Sequence, residues 1–432
     1  MIPPARTFEC SNKPAWLVFC MPTRCYSWCM DAIIIGAGIA GLSAAAALRE
    51  AGKKVLVLEA RNRIGGRIYT RHDMADIPVE LGAELIHGTH ADTWSLVRQF
   101  GMATTELNYG TARGRGLRDV ALADLPDPTP NETMAAYARR VGIADPLPYE
   151  LQYLHYDGEP LERMGAAYLV DWYRRSLAEG ECYGEHDFRI PGGYDQLLNI
   201  VAGETPIECE ARVTRIDWSE GVTVTYIQNG HERTVQAAHA IITLPLGVLK
   251  AGDVSFVPEL PHTKRRAIAA LGTMSIAKLI YVFDKSFWPL NTDFLPDFAH
   301  TPAYWWRASH GSHGEVLVGW AAGDNARTLE ALGTEAALAH GLRALSHTLE
   351  QELPAPRTAI CHNWDTDPFT KGSYSYSPPG TSAADHDSLA TACGDTLFWA
   401  GEATYSLDTS TVHGAFASGR RAAEQLLSFW EA

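Results

Sequence analysis

The 432-residue chain is longer than one hydrophobic core comfortably serves, so length predicts two or three domains. Thirty-six basic and fifty-one acidic side chains give a formal charge of −15, which argues against nucleic acid as a partner and mildly favours a cationic ligand. A hydrophobic content of 46% with 20% charged residues is ordinary for a globular protein, and no apolar run approaches the roughly eighteen residues a bilayer span needs, so no membrane partner is expected.

Residues 1–29 hold four of the eight cysteines, Cys10, Cys20, Cys25 and Cys29, with no CxxC pair and no histidine among them. That is neither a disulfide framework nor a metal site. The apolar stretch AWLVF is too short and too poorly flanked for a signal peptide. The segment is read as disordered or as upstream sequence, with Met30 a candidate start and a reducing cytoplasm as the location.

Residues 31–60, DAIIIGAGIAGLSAAAALREAGKKVLVLEA, form a complete βαβ pattern. Gly36 makes a tight turn, Gly38 lets backbone approach a pyrophosphate, and Gly41 lets helix and strand pack closely. Glu59, eighteen residues after Gly41, ends the second strand where a carboxylate can accept from ribose hydroxyls. The next run, ARNRIGGRIYT, adds Ala60, Arg61, Gly66 and Arg67, a second glycine turn flanked by guanidinium donors suited to phosphate.

This extended fingerprint resembles that of the flavin-containing amine oxidase family, and the resemblance continues along most of the chain after Met30. It implies FAD. ELGAELIHG, residues 80–88, is similar to the family's flavin-edge segment, with Gly82 and Ala83 passing near the ring system. LPDPTP at 125–130 reads as a loop and NETMAAYARR as a capped helix. RIPGGYDQLL at 189–198 opens the middle part, Val213 matches the backbone contact to adenine, and ITLPLGVLK at 242–250 is the family's strand and turn near the nucleotide.

SIAKLIYVFDKSFWP, residues 275–289, reads as a buried strand, with Ile276, Ile280 and Val282 on one face and Ala277, Leu279, Tyr281 and Phe283 on the other. Lys278 interrupts it. Burying an ammonium is costly without a partner or a function. By resemblance, Lys278 with Phe283, Phe287 and Trp288 matches the lysine that holds a water against flavin N5, and desolvation is expected to make it partly neutral and able to relay protons. The stretch LEALGTEAALAHGLRALSHTLEQEL then reads as helical.

In WDTDPFTKGSYSYSPPG, Tyr374 matches a cage tyrosine beside the flavin, and Ser373 stands where monoamine oxidases tether theirs through cysteine, so the FAD is expected to be noncovalent. Trp364 reads as core. In FWAGEATYSLDTSTVHGAFASG, Gly401 ends a strand, Glu402 is placed to meet the ribityl or pyrophosphate part, and Ser410 or Thr411 caps a helix whose N-terminus, with Val412, faces the flavin. Thr411 replaces the second cage tyrosine of monoamine oxidases.

The combination GAELIHG plus GEATYSLDTSTVHGA is most similar to polyamine oxidases of the spermine and N-acetylpolyamine type. His87 then corresponds to a histidine near the amine path, and Glu84 is a candidate to attract a distal ammonium. Absence of a long insertion of the kind the family's histone demethylases carry disfavours a chromatin role. The fold expected is α/β plus α+β. A discontinuous Rossmann-like FAD-binding domain comprises 30–88, 189–273 and 393–432, and a mixed-sheet and helical substrate domain comprises 89–188 and 274–392. The implied reaction is hydride transfer from the amine α-carbon to flavin N5, imine hydrolysis to aldehyde plus amine, and flavin reoxidation by O2 to H2O2. Small-molecule amines and O2 are the partners expected, with the protein a monomer or homodimer. Alternatives are an L-amino-acid oxidase, with Arg174, Arg175 or Arg189 gripping the carboxylate, and a flavoprotein whose FAD is structural and which acts by binding a partner.

Overall fold

The computed structural model describes residues 30–109, 120, 124–144, 151, 158–178, 186–289, 291–308 and 315–431; the leader at 1–29 lies outside them. The strand Met30–Ile35, the helix Ile39–Glu50 and the strand Val55–Leu58 form the expected βαβ unit. Met30–Ile35 lies between Val55–Leu58 and His231–Ile242 and runs parallel to both, with Ile33 opposite Leu56 and Ala240. Where they pair, at 32–35, Val55–Leu58 and 240–242, these strands are apolar and buried because both faces are covered, whereas the first half of His231–Ile242 is largely polar and exposed. Arg212–Asp217, Val222–Gln228, Ser255–Val257, Ile207–Glu208 and Leu397–Trp399 complete an eight-stranded sheet. It thus draws on three separated stretches of chain.

The last helix, Val412–Glu431, lies on Ile39–Glu50 through small residues. A Cβ on Gly419 would sit 2.0 Å from Ser43 Oγ and 2.1 Å from the Ala40 carbonyl, and Ser43 Oγ itself donates to the Phe416 carbonyl at 2.8 Å. Both helices start at the same cavity, which Gly38, Ile39, Thr411 and Val412 line.

A second, antiparallel sheet orders Phe294–Pro296, Tyr304–Arg307, Glu315–Ala322, Ile276–Phe283 and Thr358–Asn363. The strand Ile276–Phe283 lies between Glu315–Ala322 and Thr358–Asn363 and is buried throughout. Its Ala277, Leu279, Tyr281 and Phe283 pack under the helices Gly323–Leu332 and Thr334–Thr348. Ile280 and Val282 face the other way, onto Val79, Leu81 and Tyr304. Lys278 shares this second face by the two-residue period of a strand, so it points toward the segment that carries Glu80 and Gly82. The helix Met134–Arg140 is capped as expected, the Thr133 hydroxyl accepting from the Ala136 N–H at 3.1 Å; with Ala166–Ala178 it builds a separate helical core.

Candidate active site

One cavity runs between the two sheets, from Gly36 and Glu59 at its outer end to Lys278 and Trp306 at its inner end. The outer end is a cradle of backbone. Gly36 has φ +108°, a conformation side chains disfavour. A Cβ on Gly41 would lie 2.0 Å from the Gly36 carbonyl, so helix and strand meet there with no side chain between them. Gly38 is different: the nearest atom to its missing Cβ is the Gly65 carbonyl at 4.0 Å, which leaves open space facing the cavity.

Glu59 ends its strand buried, one oxygen accepting from the Ala37 N–H at 2.8 Å and the other from the Arg61 N–H at 2.9 Å. Burial pushes its carboxyl above the usual range, and those two N–H groups oppose the rise. Arg61 forks onto Asp367 at 2.5 and 2.8 Å, tying the first βαβ unit to the segment that carries Pro368, Phe369 and Thr370 along the cavity. Arg67 Nη1 donates to Glu402 Oε1 at 2.7 Å and to the Ser373 carbonyl at 2.5 Å. Glu402 Oε2 accepts from Ser375 Oγ at 2.6 Å and from the Ser410 N–H at 3.1 Å. Burial raises the Glu402 carboxyl, but Arg67 and Ser375 outweigh it and hold it below the usual range. Thr411 is the helix cap: its hydroxyl accepts from the Gly414 N–H at 2.9 Å and donates to the Asp408 carbonyl.

The inner chamber is aromatic, lined by Tyr109, Trp172, Phe294, Trp306, Trp320 and Tyr374. His87 lines it too, its Nδ1 2.7 Å from Asp187 Oδ1, while the Tyr109 hydroxyl donates to the other Asp187 oxygen. Trp364 is buried as expected, and its indole N–H donates to the Leu81 carbonyl at 3.2 Å, yet one edge reaches the cavity.

Lys278 is 1% exposed, and all three of its N–H bonds find oxygen: the Gly82 carbonyl at 2.8 Å, Glu84 Oε2 at 3.0 Å and the Glu80 carbonyl at 3.1 Å. The sequence reading named no protein partner for this ammonium; the chain brings a carboxylate to it from 194 residues away. The same geometry corrects the reading of Glu84 as a lure for a distal ammonium, since both of its oxygens are taken by protein donors.

Glu80 gives a pH signature. Burial pushes its carboxyl up to about 8, against the pull of the Tyr194 N–H and the Thr70 hydroxyl that it accepts from. The folded protein then keeps a proton that the unfolded chain, at the ordinary 4.5, releases. This contribution is complete below about pH 4.5 and is lost as pH rises through about 8. Glu80→Gln, whose oxygen can still accept from the Tyr194 N–H while its amide N–H donates to the Thr70 hydroxyl oxygen, is expected to flatten the fall in melting temperature between pH 5 and 8 by several degrees, as read by calorimetry.

The residues matching a family model for flavin-containing amine oxidoreductase are 39–140 and 144–427. Polyamine oxidase 2 of Arabidopsis thaliana is 31% identical over 91% of this chain and 87% of its own length. This chain belongs to the flavin-containing amine oxidoreductase family. Lysine-specific histone demethylase 1 homolog 1 of the same plant is 30% identical over 92% of this chain. The chain spans about half of that relative's length, 52%. Among solved structures, putrescine oxidase bound to putrescine superposes with TM-score 0.77 at 19% identity, covering 92% of this chain and 99% of that one. Cyclohexylamine oxidase from Brevibacterium oxydans gives 0.75 at 21%, covering 93% and 100%.

The cavity of this flavin-containing amine oxidoreductase fits FAD on its own geometry. The open face of Gly38, the free helix N-terminus at Ile39 and the buried Glu59 suit a dinucleotide, and the aromatic inner end suits a flat ring system. Gly36, Gly38, Glu59, Ala60, Arg61, Gly66, Arg67, Gly82, Ala83, Val213, Gly401, Glu402, Thr411 and Val412 all line it, as do Lys278, Tyr374 and His87. Gly41 does not; its place is the packing of helix on strand. Sequence reasoning missed Trp306, Trp320, Tyr109 and Asp187. The YWWR run at 304–307 was the available signal, an aromatic cluster too large for one strand face.

Proposed function

We propose that this chain is an FAD-dependent oxidase of polyamines or other secondary amines, with noncovalent FAD and oxygen as the final acceptor. One observation carries the reading: a single cavity joins a glycine-lined phosphate cradle to an aromatic chamber whose wall holds the buried Lys278. Bound FAD supplies the two-electron acceptor for the hydride on the carbon beside the amine nitrogen.

The chain's own residues do the rest. Trp306, Trp320, Phe294 and Tyr374 make walls that exclude water. In such surroundings an amine favours its neutral form, which frees its lone pair. His87, oriented by Asp187, stands where an imidazole can hydrogen-bond a substrate nitrogen. Arg67 and Glu402 brace the middle of the cavity, and the N-terminus of the last helix favours negative charge there.

The polyamine oxidase relatives and the acidic chain support a cationic amine as substrate. The relatives named as histone demethylases favour a second class, the N-methylated lysine of a peptide. An amino-acid substrate has less support. Arg174 is tied to Asp127 and Arg175 to Asp171, Arg189 is paired with Glu84, and none of the three lines the cavity. Incubation of the holoenzyme with spermine or N-acetylspermine in air is expected to yield an aldehyde, a shortened amine and H2O2 in equal amounts, measured by mass spectrometry and a peroxide assay. Turnover confined to L-amino acids, giving 2-oxo acids, would replace this reading.

A further inference from the structure

Three donors from three parts of the chain converge on Glu84. Oε1 accepts from Arg189 Nε at 2.9 Å and from the Trp306 indole N–H at 3.0 Å, and Oε2 accepts from Lys278 Nζ at 3.0 Å. All three charged groups are buried, with side chains 1%, 5% and 9% exposed for Lys278, Glu84 and Arg189. Nη1 and Nη2 of Arg189 have no hydrogen-bond partner, so Glu84 is the one anion bonded to this arginine among the described residues.

The other groups around Lys278 add no charge near neutral pH. From the strand on one side, His362 stands opposite it in register and is pushed down to about 4 by burial. From the other side comes Trp320, whose ring centroid is 5.7 Å from Nζ, with that of Trp306 at 5.3 Å. Beneath, Glu80 offers its carbonyl, and its own carboxyl, raised to about 8, points instead to the Tyr194 N–H and Thr70. The wall therefore holds two cations against one anion.

We propose that Glu84 is a positioning residue: backed by Arg189, its carboxylate pins the Lys278 ammonium to the cavity wall, so that Lys278 serves the flavin as a stationary cation and not as a proton carrier. This rests on the proposed function and deepens it. A lysine that carried protons would need to break away from Glu84 and from two backbone carbonyls in each cycle. A stationary one keeps its place and favours negative charge on the group beside it. Arg189, outside the cavity, holds the far side of the carboxylate and completes the clamp.

The test uses the visible band of the bound flavin, followed from pH 6 to 10 in holoenzyme. Glu84→Gln keeps the shape and removes the charge. It is expected to introduce a reversible, single-proton shift of the band in addition to any that the Glu80 carboxyl gives the parent near pH 8, and the Glu84→Gln, Lys278→Met double variant is expected to lose that added shift and keep only the parent's. Reoxidation of dithionite-reduced Glu84→Gln by oxygen should acquire the same pH dependence. Glu84→Asp, which withdraws the charge by one methylene, should place the transition about 1–3 pH units nearer the parent's behaviour, and it serves if Glu84→Gln yields no holoenzyme. A band and a reoxidation profile that superimpose on the parent's, in whichever variant is obtained, would overturn the proposal. A parent that binds no flavin, seen as no visible band, would instead contradict the proposed function.

Discussion

A Lys278→Met holoenzyme, once reduced, is expected to react with oxygen about a hundredfold more slowly than the parent, the usual effect of deleting one preorganised charge from a dry site. The reduced flavin must pass negative charge to oxygen, and Lys278 is the buried cation that Glu84 and two carbonyls hold in the cavity wall. Anaerobic reduction by an amine should change far less, because the residues that orient the substrate are not touched. Folding will suffer too. Breaking a buried ion pair costs about 3–5 kcal/mol, and the loss here should fall at the low end because Glu84 keeps Arg189 and Trp306. Stopped-flow mixing of reduced enzyme with oxygen, beside a melting curve, separates the two effects. Reoxidation at the parental rate would remove Lys278 from the oxygen reaction and would favour a flavoprotein in which the FAD is structural.

The two glycines of the first turn should behave in opposite ways. Gly38 has no protein atom closer than 4.0 Å to its missing Cβ, so a side chain there meets only the cavity. Gly38→Val is therefore expected to fold, with the apoprotein melting within a few degrees of the parent's, and to lose FAD affinity by at least about a hundredfold. Gly41→Ala puts a methyl 2.0 Å from the Gly36 carbonyl and 3.2 Å from Ile34 Cγ2. The helix must move off the strand, and overpacking of this kind costs about 1–3 kcal/mol or more. Flavin content after desalting and apoprotein melting temperature together read the contrast. Stoichiometric FAD in Gly38→Val would mean that the pyrophosphate does not pass over that glycine.

These contrasts also explain what sequence could and could not reveal. The cradle was legible because its parts lie within about thirty residues, where spacing alone sets the turn, the helix N-terminus and the strand end. Lys278 stood out because a lone charge broke an otherwise apolar strand. Its partners did not stand out. Glu84 and Arg189 lie 105 residues apart, and only the pairing of Asp187–Arg189 with Ile86–His87 sets them side by side. Trp306 and Trp320 were not singled out in sequence, since which strand face becomes a cavity wall depends on what the other sheet leaves uncovered. Thr411 matched a cage position in the pattern and was one of two candidate caps, and its bonds to Gly414 and Asp408 decide between Ser410 and Thr411.

The central claim is that an amine reduces the flavin bound in this cavity. The most direct measurement mixes holoenzyme without oxygen with spermine, N-acetylspermine, putrescine, benzylamine, a dimethyl-lysine peptide and L-amino acids in turn, and follows the visible flavin band. The account predicts rapid bleaching by spermine or N-acetylspermine, with little from benzylamine or the amino acids. Bleaching by the peptide alone would move the substrate to the methyl-lysine class, and a band that no amine bleaches would contradict the claim itself.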